Sequence, residues 1–360
     1  MSIWKYADRF SDVSPQHRLT LGEGSTPLVR SRSIGPTMGL EHLYFKLEAV
    51  NPTGSYKDRF AAAAVSDMLA HGKTRCVATS SGNTGSALAA YCAAAGIACQ
   101  IAIVETAPIA KLNQMLALGA SLFRVRGFGA DPQITADVFG RLTELGDCPD
   151  SAVQISAYCC SPRGMRGVQT IGYELQEQSS NRIDHVFCPA GGGGLTLATA
   201  RSFAADKPQG AGKTKIHCVQ PAGNDTIAGP LRAGANQAQG VNCTTSISGL
   251  QVASVMDGDE VVAACRASGG TGFLVSDEEV YSLQRRLARE EGIFCEPAGA
   301  VALAGALQSV SQEEILRDEL AVCLVTGSGF KDTASVERMT ADCDCPVIEP
   351  EDLETVLQLL

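Results

Sequence analysis

Short apolar runs alternate along the chain with longer stretches in which apolar residues recur at helical spacing. Cys76-Val77-Ala78 reads as a strand, and a helical pattern starts at Ser86. A strand over 100–104, a helix from Pro108 and a strand over 122–125 continue the alternation. A second series opens at Val186-Phe187-Cys188 and runs through 216–219, helices near 278–291 and 298–307, and a strand over 321–325. Strands alternating with helices predict parallel sheets joined by crossover helices. At 360 residues the chain exceeds one typical core. The expectation is therefore two three-layer α/β domains with mostly parallel sheets and a ligand between them, at the carboxyl ends of the strands. The stretch 220–242, rich in Gly, Ala and Gln, predicts loop and short helix. The segment 349–360 places Leu353, Val356, Leu357 and Leu360 on one helical face, which predicts a helix docked on the body or on a subunit partner.

Three segments add candidate chemistry to this frame. Asn51-Pro52-Thr53-Gly54-Ser55-Tyr56-Lys57-Asp58-Arg59 puts a lysine in a turn-rich, hydroxyl-lined segment before an alanine-rich helix. Such a lysine suits a Schiff base with an aldehyde cofactor, or simply a solvated helix start. Thr79-Ser80-Ser81-Gly82-Asn83-Thr84-Gly85 joins a strand to a helix, where free N–H groups and the positive end of the helix dipole suit a carboxylate. Turn and capping chemistry would use the same residue types. Ala190-Gly191-Gly192-Gly193-Gly194-Leu195-Thr196 also follows a strand and precedes a helix. Four glycines allow the backbone to wrap a phosphate or to act as a hinge. The loop has neither the Lys-Ser/Thr ending of an ATP-binding loop nor dinucleotide spacing. A reactive lysine, an anion loop and a phosphate loop together suit pyridoxal phosphate.

At this point the chain resembles the fold type II family of pyridoxal-phosphate enzymes, and within it the threonine synthases most. The resemblance runs from Leu21-Gly22-Glu23-Gly24-Ser25-Thr26-Pro27-Leu28 through Lys46-Leu47-Glu48 and the lysine motif to Val325-Thr326-Gly327-Ser328-Gly329-Phe330-Lys331-Asp332. It implies Lys57 as the Schiff-base and catalytic lysine and Asn83 as partner of the cofactor's ring hydroxyl. Gly191, Gly192, Gly193, Gly194 and Leu195 would hold its phosphate, and Thr326 its pyridine nitrogen. A hydroxyl there leaves the ring closer to neutral than an aspartate would, which favours eliminations and replacements over transamination. Ser80, Ser81 and Thr84, with Asn83, match the loop that holds the substrate carboxylate.

The threonine synthase pattern Asn-Pro-x-Arg-x-x-Gly is altered here to Ser161-Pro162-Arg163-Gly164-Met165-Arg166-Gly167, followed by matching Thr170 and Glu174. Arg163 and Arg166 are the candidates for a substrate phosphate, since a guanidinium fork donates two parallel hydrogen bonds. The implied reaction converts O-phosphohomoserine and water to threonine and phosphate. The alternatives are β-replacement or β-elimination on O-phosphoserine, serine or threonine, and a non-catalytic binding homologue. The resemblance also implies a large domain over 1–58 and 160–360, a small mobile domain over 59–159 and a homodimer.

Charge and cysteine usage narrow the classes. A net charge of −10 without a basic run argues against nucleic acid. The N-terminus lacks a signal-peptide core and no stretch reaches membrane-spanning length, which leads us to expect a cytoplasmic enzyme with a small amino-acid substrate. Of the 14 cysteines, Cys76, Cys188, Cys218 and Cys323 sit in apolar runs and read as reduced core thiols. Cys159-Cys160 and Cys343-Asp344-Cys345 lack a second ligand pair at zinc spacing, and His17, His42, His71, His185 and His217 form no ligand pattern. No metal is expected.

Overall fold

The computed structural model describes residues 2–107, 109–180, 182–205 and 213–358. Among them are ten strands: β1 (Leu28–Arg30), β2 (Leu43–Leu47), β3 (Arg75–Thr79), β4 (Ala98–Val104), β5 (Ser121–Val125), β6 (Ser151–Gln154), β7 (His185–Pro189), β8 (Lys215–Pro221), β9 (Gly272–Val275) and β10 (Ala321–Val325). They form a six-stranded sheet in the order β1-β2-β10-β7-β8-β9 and a four-stranded sheet in the order β5-β4-β3-β6. Every pairing is parallel except that of β1 with β2. The mixed α/β class read from the alternation is what the structure shows.

Burial explains which runs the pattern revealed. β7 and β10 are buried at every position, as parallel strands covered on both faces must be, and their unbroken apolar runs are easy to read. β2 is equally central, yet its run is interrupted by Lys46, which is wholly buried. The short strands β1, β6 and β9 carry too few residues to show a period.

The helix after β3 is Asn83–Ala95, three residues earlier than its apolar pattern suggests, because its first turn faces the site and carries polar residues. It ends at Gly96, whose φ of +67° closes the turn. The 220–242 stretch does contain the short helix Ala228–Arg232 within loop. The C-terminal helix Leu353–Gln358 forms but buries no side chain, with Leu353 and Leu357 50% and 64% exposed. The expected docking on the body is thus corrected, since the helix and residues 341–350 before it are exposed; docking on a subunit partner stays an expectation. Pro108 and Leu360 lie outside the described residues. No helix among the described residues is long and apolar enough to cross a membrane.

Candidate active site

Gly54 adopts φ +89°, which lets the chain reverse before the helix Lys57–Ala70 begins at Lys57 itself. The turn is stitched to the loop after β10 by backbone bonds, Tyr56 N–H to Thr326 O at 3.1 Å and Ser328 N–H to Gly54 O at 2.8 Å. Because β10 is central in the large sheet, these bonds fix Lys57 at the carboxyl end of the strands. Its Nζ donates to Ser156 Oγ at 2.6 Å, and Ser156 Oγ lies 3.0 Å from Thr84 Oγ1. Thr84 belongs to the first turn of the helix after β3, so the lysine motif and the serine-rich loop meet through Ser156.

The glycine loop reaches the same place. Gly193 has φ +93°, and the helix Gly194–Ala205 starts immediately after it. A Cβ on Gly194 would stand 3.3 Å from Ser156 O and 3.2 Å from Asp257 Oδ2. Asp257 accepts the N–H groups of Tyr158 and Cys159 at 2.8 and 3.0 Å, while its own N–H donates to Gly192 O at 3.1 Å. The loop is thereby clamped against the segment that carries Ser156. Leu195 is buried beneath it. The first N–H groups of that helix have no intrahelical acceptor and lie at the positive end of its dipole.

Asn83 donates through Nδ2 to Glu296 Oε1 at 2.7 Å, and Glu296 N–H donates to Gly327 O at 3.0 Å. Next to Gly327 in the chain is Thr326, 4% exposed, whose Oγ1 is buried without a hydrogen-bond partner among the described residues. A buried hydroxyl left unmade costs about 1–3 kcal/mol, so it marks a place where a ligand acceptor or donor fits. Asn83, Glu296, Gln114 and Lys331 line one cavity, and Lys331 Nζ donates to Gln114 Oε1 at 2.6 Å across it. Desolvation holds the Lys331 amine below its ordinary value, with Glu296 and Asp58 pulling the other way. Burial pushes the Asp58 carboxyl up to about 7 against the bonds it accepts from Thr53.

Ser80 and Ser81 are half-buried in the loop ahead of Asn83. Lys57, Asn83, Thr84, Gly191 to Leu195 and Thr326 converge with them. Arg163 and Arg166 do not. Gly164 and Gly167 on the helix Pro162–Val168 face the helix Lys57–Ala70 so closely that a Cβ on Gly167 would lie 2.3 Å from Arg59 O, and one on Gly164 2.7 Å from Phe60. With both glycines turned in, the residues one position earlier are rotated about 100° outward. Arg163 accordingly pairs with Asp67 at 2.6 Å on the surface, and Arg166 is exposed. Asp67 stands ten residues along the helix from Lys57, about 15 Å by helical rise. The expectation that these arginines bind substrate is corrected by this packing.

Beneath the site lies a buried ion network. Arg59 Nε and Nη2 bond both oxygens of Glu48 at 2.8 Å, while Nη1 and Nη2 bond Glu174 at 2.6 and 2.8 Å. Lys46 Nζ adds a 2.7 Å bond to Glu174. Glu174 also accepts Ser25 N–H at 2.7 Å, tying the opening Gly-Glu-Gly motif to this centre. Ser156 and Glu296 went unread in the sequence. Ser156 carries no local signal, whereas Glu296 has one in its position just before Pro297 and an alanine-rich helix.

Residues 19–327 match the family described as pyridoxal-phosphate dependent enzyme. The threonine synthase of Methanosarcina acetivorans is 30% identical over 100% of this chain and 86% of its own length. Among solved structures, maize serine racemase superposes with a TM-score of 0.72 at 24% identity, over 88% of this chain and 92% of that one. The processed threonine deaminase isoform 2 of Solanum lycopersicum gives 0.70 at 24%, over 93% and 82%.

Proposed function

Since the chain belongs to the pyridoxal-phosphate-dependent enzyme family, we propose that this lyase acts as a threonine synthase, releasing threonine and phosphate from O-phosphohomoserine and water. The full-length similarity to threonine synthases carries this reading. The residues present fit the cofactor: Thr326 offers an unpartnered hydroxyl, the Gly191–Leu195 segment a phosphate cradle at a helix N-terminus, and Lys57 an amine. Bound there, pyridoxal phosphate supplies an electron-withdrawing ring that stabilises negative charge on the substrate carbon beside its amine.

Lys57 Nζ is the group that takes and returns protons on that carbon and its neighbour. Nζ donates to Ser156 Oγ, which shares a second hydrogen bond with Thr84 Oγ1, and the pair orients the amine. Ser80, Ser81 and Thr84 hold the substrate carboxylate at the positive end of the helix Asn83–Ala95. Glu296 holds the Asn83 amide through Nδ2, and Asn83 would meet the cofactor's ring hydroxyl there. Segment 59–159 closes over the substrate on this reading, and the Asn83–Glu296 and Gln114–Lys331 bonds are contacts between it and the rest of the chain.

A second reading is favoured by the outward turn of Arg163 and Arg166, which leaves a substrate phosphate without a guanidinium fork. On it the enzyme eliminates the β-substituent of serine or threonine, which carry no phosphate; O-phosphoserine, the remaining alternative, bears the same phosphate and gains nothing from this observation. The deciding experiment incubates the cofactor-loaded enzyme with O-phosphohomoserine and follows phosphate and threonine together. Equal release of both supports the first reading. Release of neither abandons it and moves the work to the three alternative substrates.

Two substitutions test the placement. Arg163→Ala is expected to leave KM for O-phosphohomoserine within about threefold, since an exposed ion pair contributes only about 0.2–1 kcal/mol; a hundredfold rise would return this arginine to the site. Gly193→Ala forces a side chain onto φ +93° with its Cβ 2.7 Å from Val261 Cγ2. Strain of about 1–3 kcal/mol at such a position is expected to weaken cofactor binding roughly tenfold or more, measured by equilibrium dialysis. Unchanged binding would mean the loop does not hold the phosphate.

A further inference from the structure

Gln220 is fully buried, and every hydrogen-bonding position of its amide is filled. It stands at the carboxyl end of β8, which pairs with β7 up to Pro189 and Val219. Its Nε2 donates to Gly191 O at 3.2 Å and to Thr226 Oγ1 at 2.9 Å. Its Oε1 accepts the N–H groups of Ile227 and Ala228 at 2.7 and 2.8 Å. These partners admit one orientation of the amide, since turned over it would set its NH₂ against two N–H donors and its oxygen against a carbonyl. The side chain is therefore a fixed donor aimed from one strand at the first glycine beyond the next.

We infer that Gln220 is a positioning residue for the phosphate of pyridoxal phosphate, acting through the peptide between Gly191 and Gly192. The inference rests on the proposed role of Gly191 to Leu195 as the phosphate cradle. In a trans peptide the C=O of one residue and the N–H of the next share a plane and point in opposite directions, and no peptide bond among the described residues is cis. Holding Gly191 O towards Gln220 therefore turns Gly192 N–H away from it. Asp257 N–H treats the next peptide in the same way, donating to Gly192 O at 3.1 Å and so turning Gly193 N–H away from Asp257. Among the described residues neither Gly192 N–H nor Gly193 N–H donates a hydrogen bond to the chain itself. Both are left for an acceptor oxygen.

The two restraints matter because glycine has no Cβ to oppose rotation of its peptides. An unrestrained run of four would present carbonyl oxygens to a phosphate as readily as N–H groups, and a carbonyl facing the anion repels it. Restraint built in before the cofactor arrives lowers the ordering cost of binding it. Gln220 also anchors the turn into the helix Ala228–Arg232 through Thr226, Ile227 and Ala228. The experiment has to separate that structural role from the positioning one.

The full-length enzyme is freed of cofactor by dialysis and titrated with pyridoxal phosphate and with pyridoxal, which lacks the phosphate. Gln220→Met is neutral, of similar length, and without the donor to Gly191 O. The ratio of the two affinities is expected to fall about tenfold in this variant, the size of one hydrogen bond near the top of the usual net range. A residue that only braces the turn would weaken both compounds alike, and an unchanged ratio overturns the inference. Gln220→Asn, neutral and one methylene too short to bridge the same partners, takes its place if the methionine variant shows no cooperative melting transition. Gly193→Ala, titrated in parallel, tests the cradle itself. A lowered ratio in Gly193→Ala but not in the Gln220 variant leaves the cradle standing and removes Gln220 from it. A lowered ratio in neither means that the loop does not hold the phosphate, and the inference falls with that reading.

Discussion

Lys57→Ala is expected to remove the visible absorbance of the lysine-bound cofactor and to lower turnover by about 10⁴-fold or more, the upper range for a positioned acid/base. The size follows from the two roles assigned to one amine, covalent anchor and proton carrier. Among the described residues nothing nearby duplicates it: Lys331 lines the neighbouring cavity, but its Nζ is committed to Gln114 at 2.6 Å. On the proposed reading the loss is in kcat, because Ser80, Ser81 and Thr84 would still hold the substrate carboxylate. Adding a small primary amine should restore part of the rate without restoring the absorbance of the wild type. Retained turnover in Lys57→Ala without added amine would remove Lys57 from this role, whatever the spectrum showed. The folded state is not at risk, since the Lys57 side chain is only half-buried and its backbone bonds survive the change.

Arg59→Met is expected to have the largest effect on stability, a loss of roughly 3–5 kcal/mol, because breaking a buried pair strands the remaining charges. Arg59 is completely buried and is the common partner of Glu48 and Glu174, also buried. Without it Lys46 alone faces two carboxylates. Adding Glu48→Gln to Arg59→Met removes one stranded charge and should recover part of the loss; a variant as stable as the parent in urea would show the network to be dispensable. The pH dependence has a definite sign. Arg59 and Lys46 hold the Glu174 carboxyl down at about 2 against burial, from an ordinary value of 4.5. A carboxyl depressed on folding stabilises the folded state fully above 4.5, and that stabilisation fades as pH falls towards about 2. The difference between parent and Arg59→Met is therefore expected to narrow on acidification from pH 6 to 3, as far as Glu174 governs it.

The units that could be read from sequence are those whose signal is local. A strand, a glycine or serine loop and a helix start follow one another within about fifteen residues at 76–90 and again at 186–200. Short-range sterics and helix-end chemistry act over that distance, so Lys57, Thr84 and the four glycines could be singled out before any fold was known. The motif Thr326-Gly327-Ser328 was legible only through its resemblance, since nothing in its composition announces a pyridine partner. Arg163 was misplaced because sequence shows an arginine in a loop but not which helix face the neighbouring glycines must present. Close approach of Gly164 and Gly167 to the helix Lys57–Ala70 decides that face, and the arginines take what remains.

By itself the sequence determined the α/β class, the family and the chemical identity of the lysine, glycine and hydroxyl groups, because periodicity and turn chemistry depend on near neighbours. Tertiary structure alone decided that Ser156 meets Lys57 from 99 positions away and that Glu296 meets Asn83 from 213. It alone buried Arg59 between two acids and gathered Cys76, Cys92 and Cys99 into one cluster. Each of these depends on which strands pair and which helix faces pack, contacts whose free energy exists only once the whole core has closed.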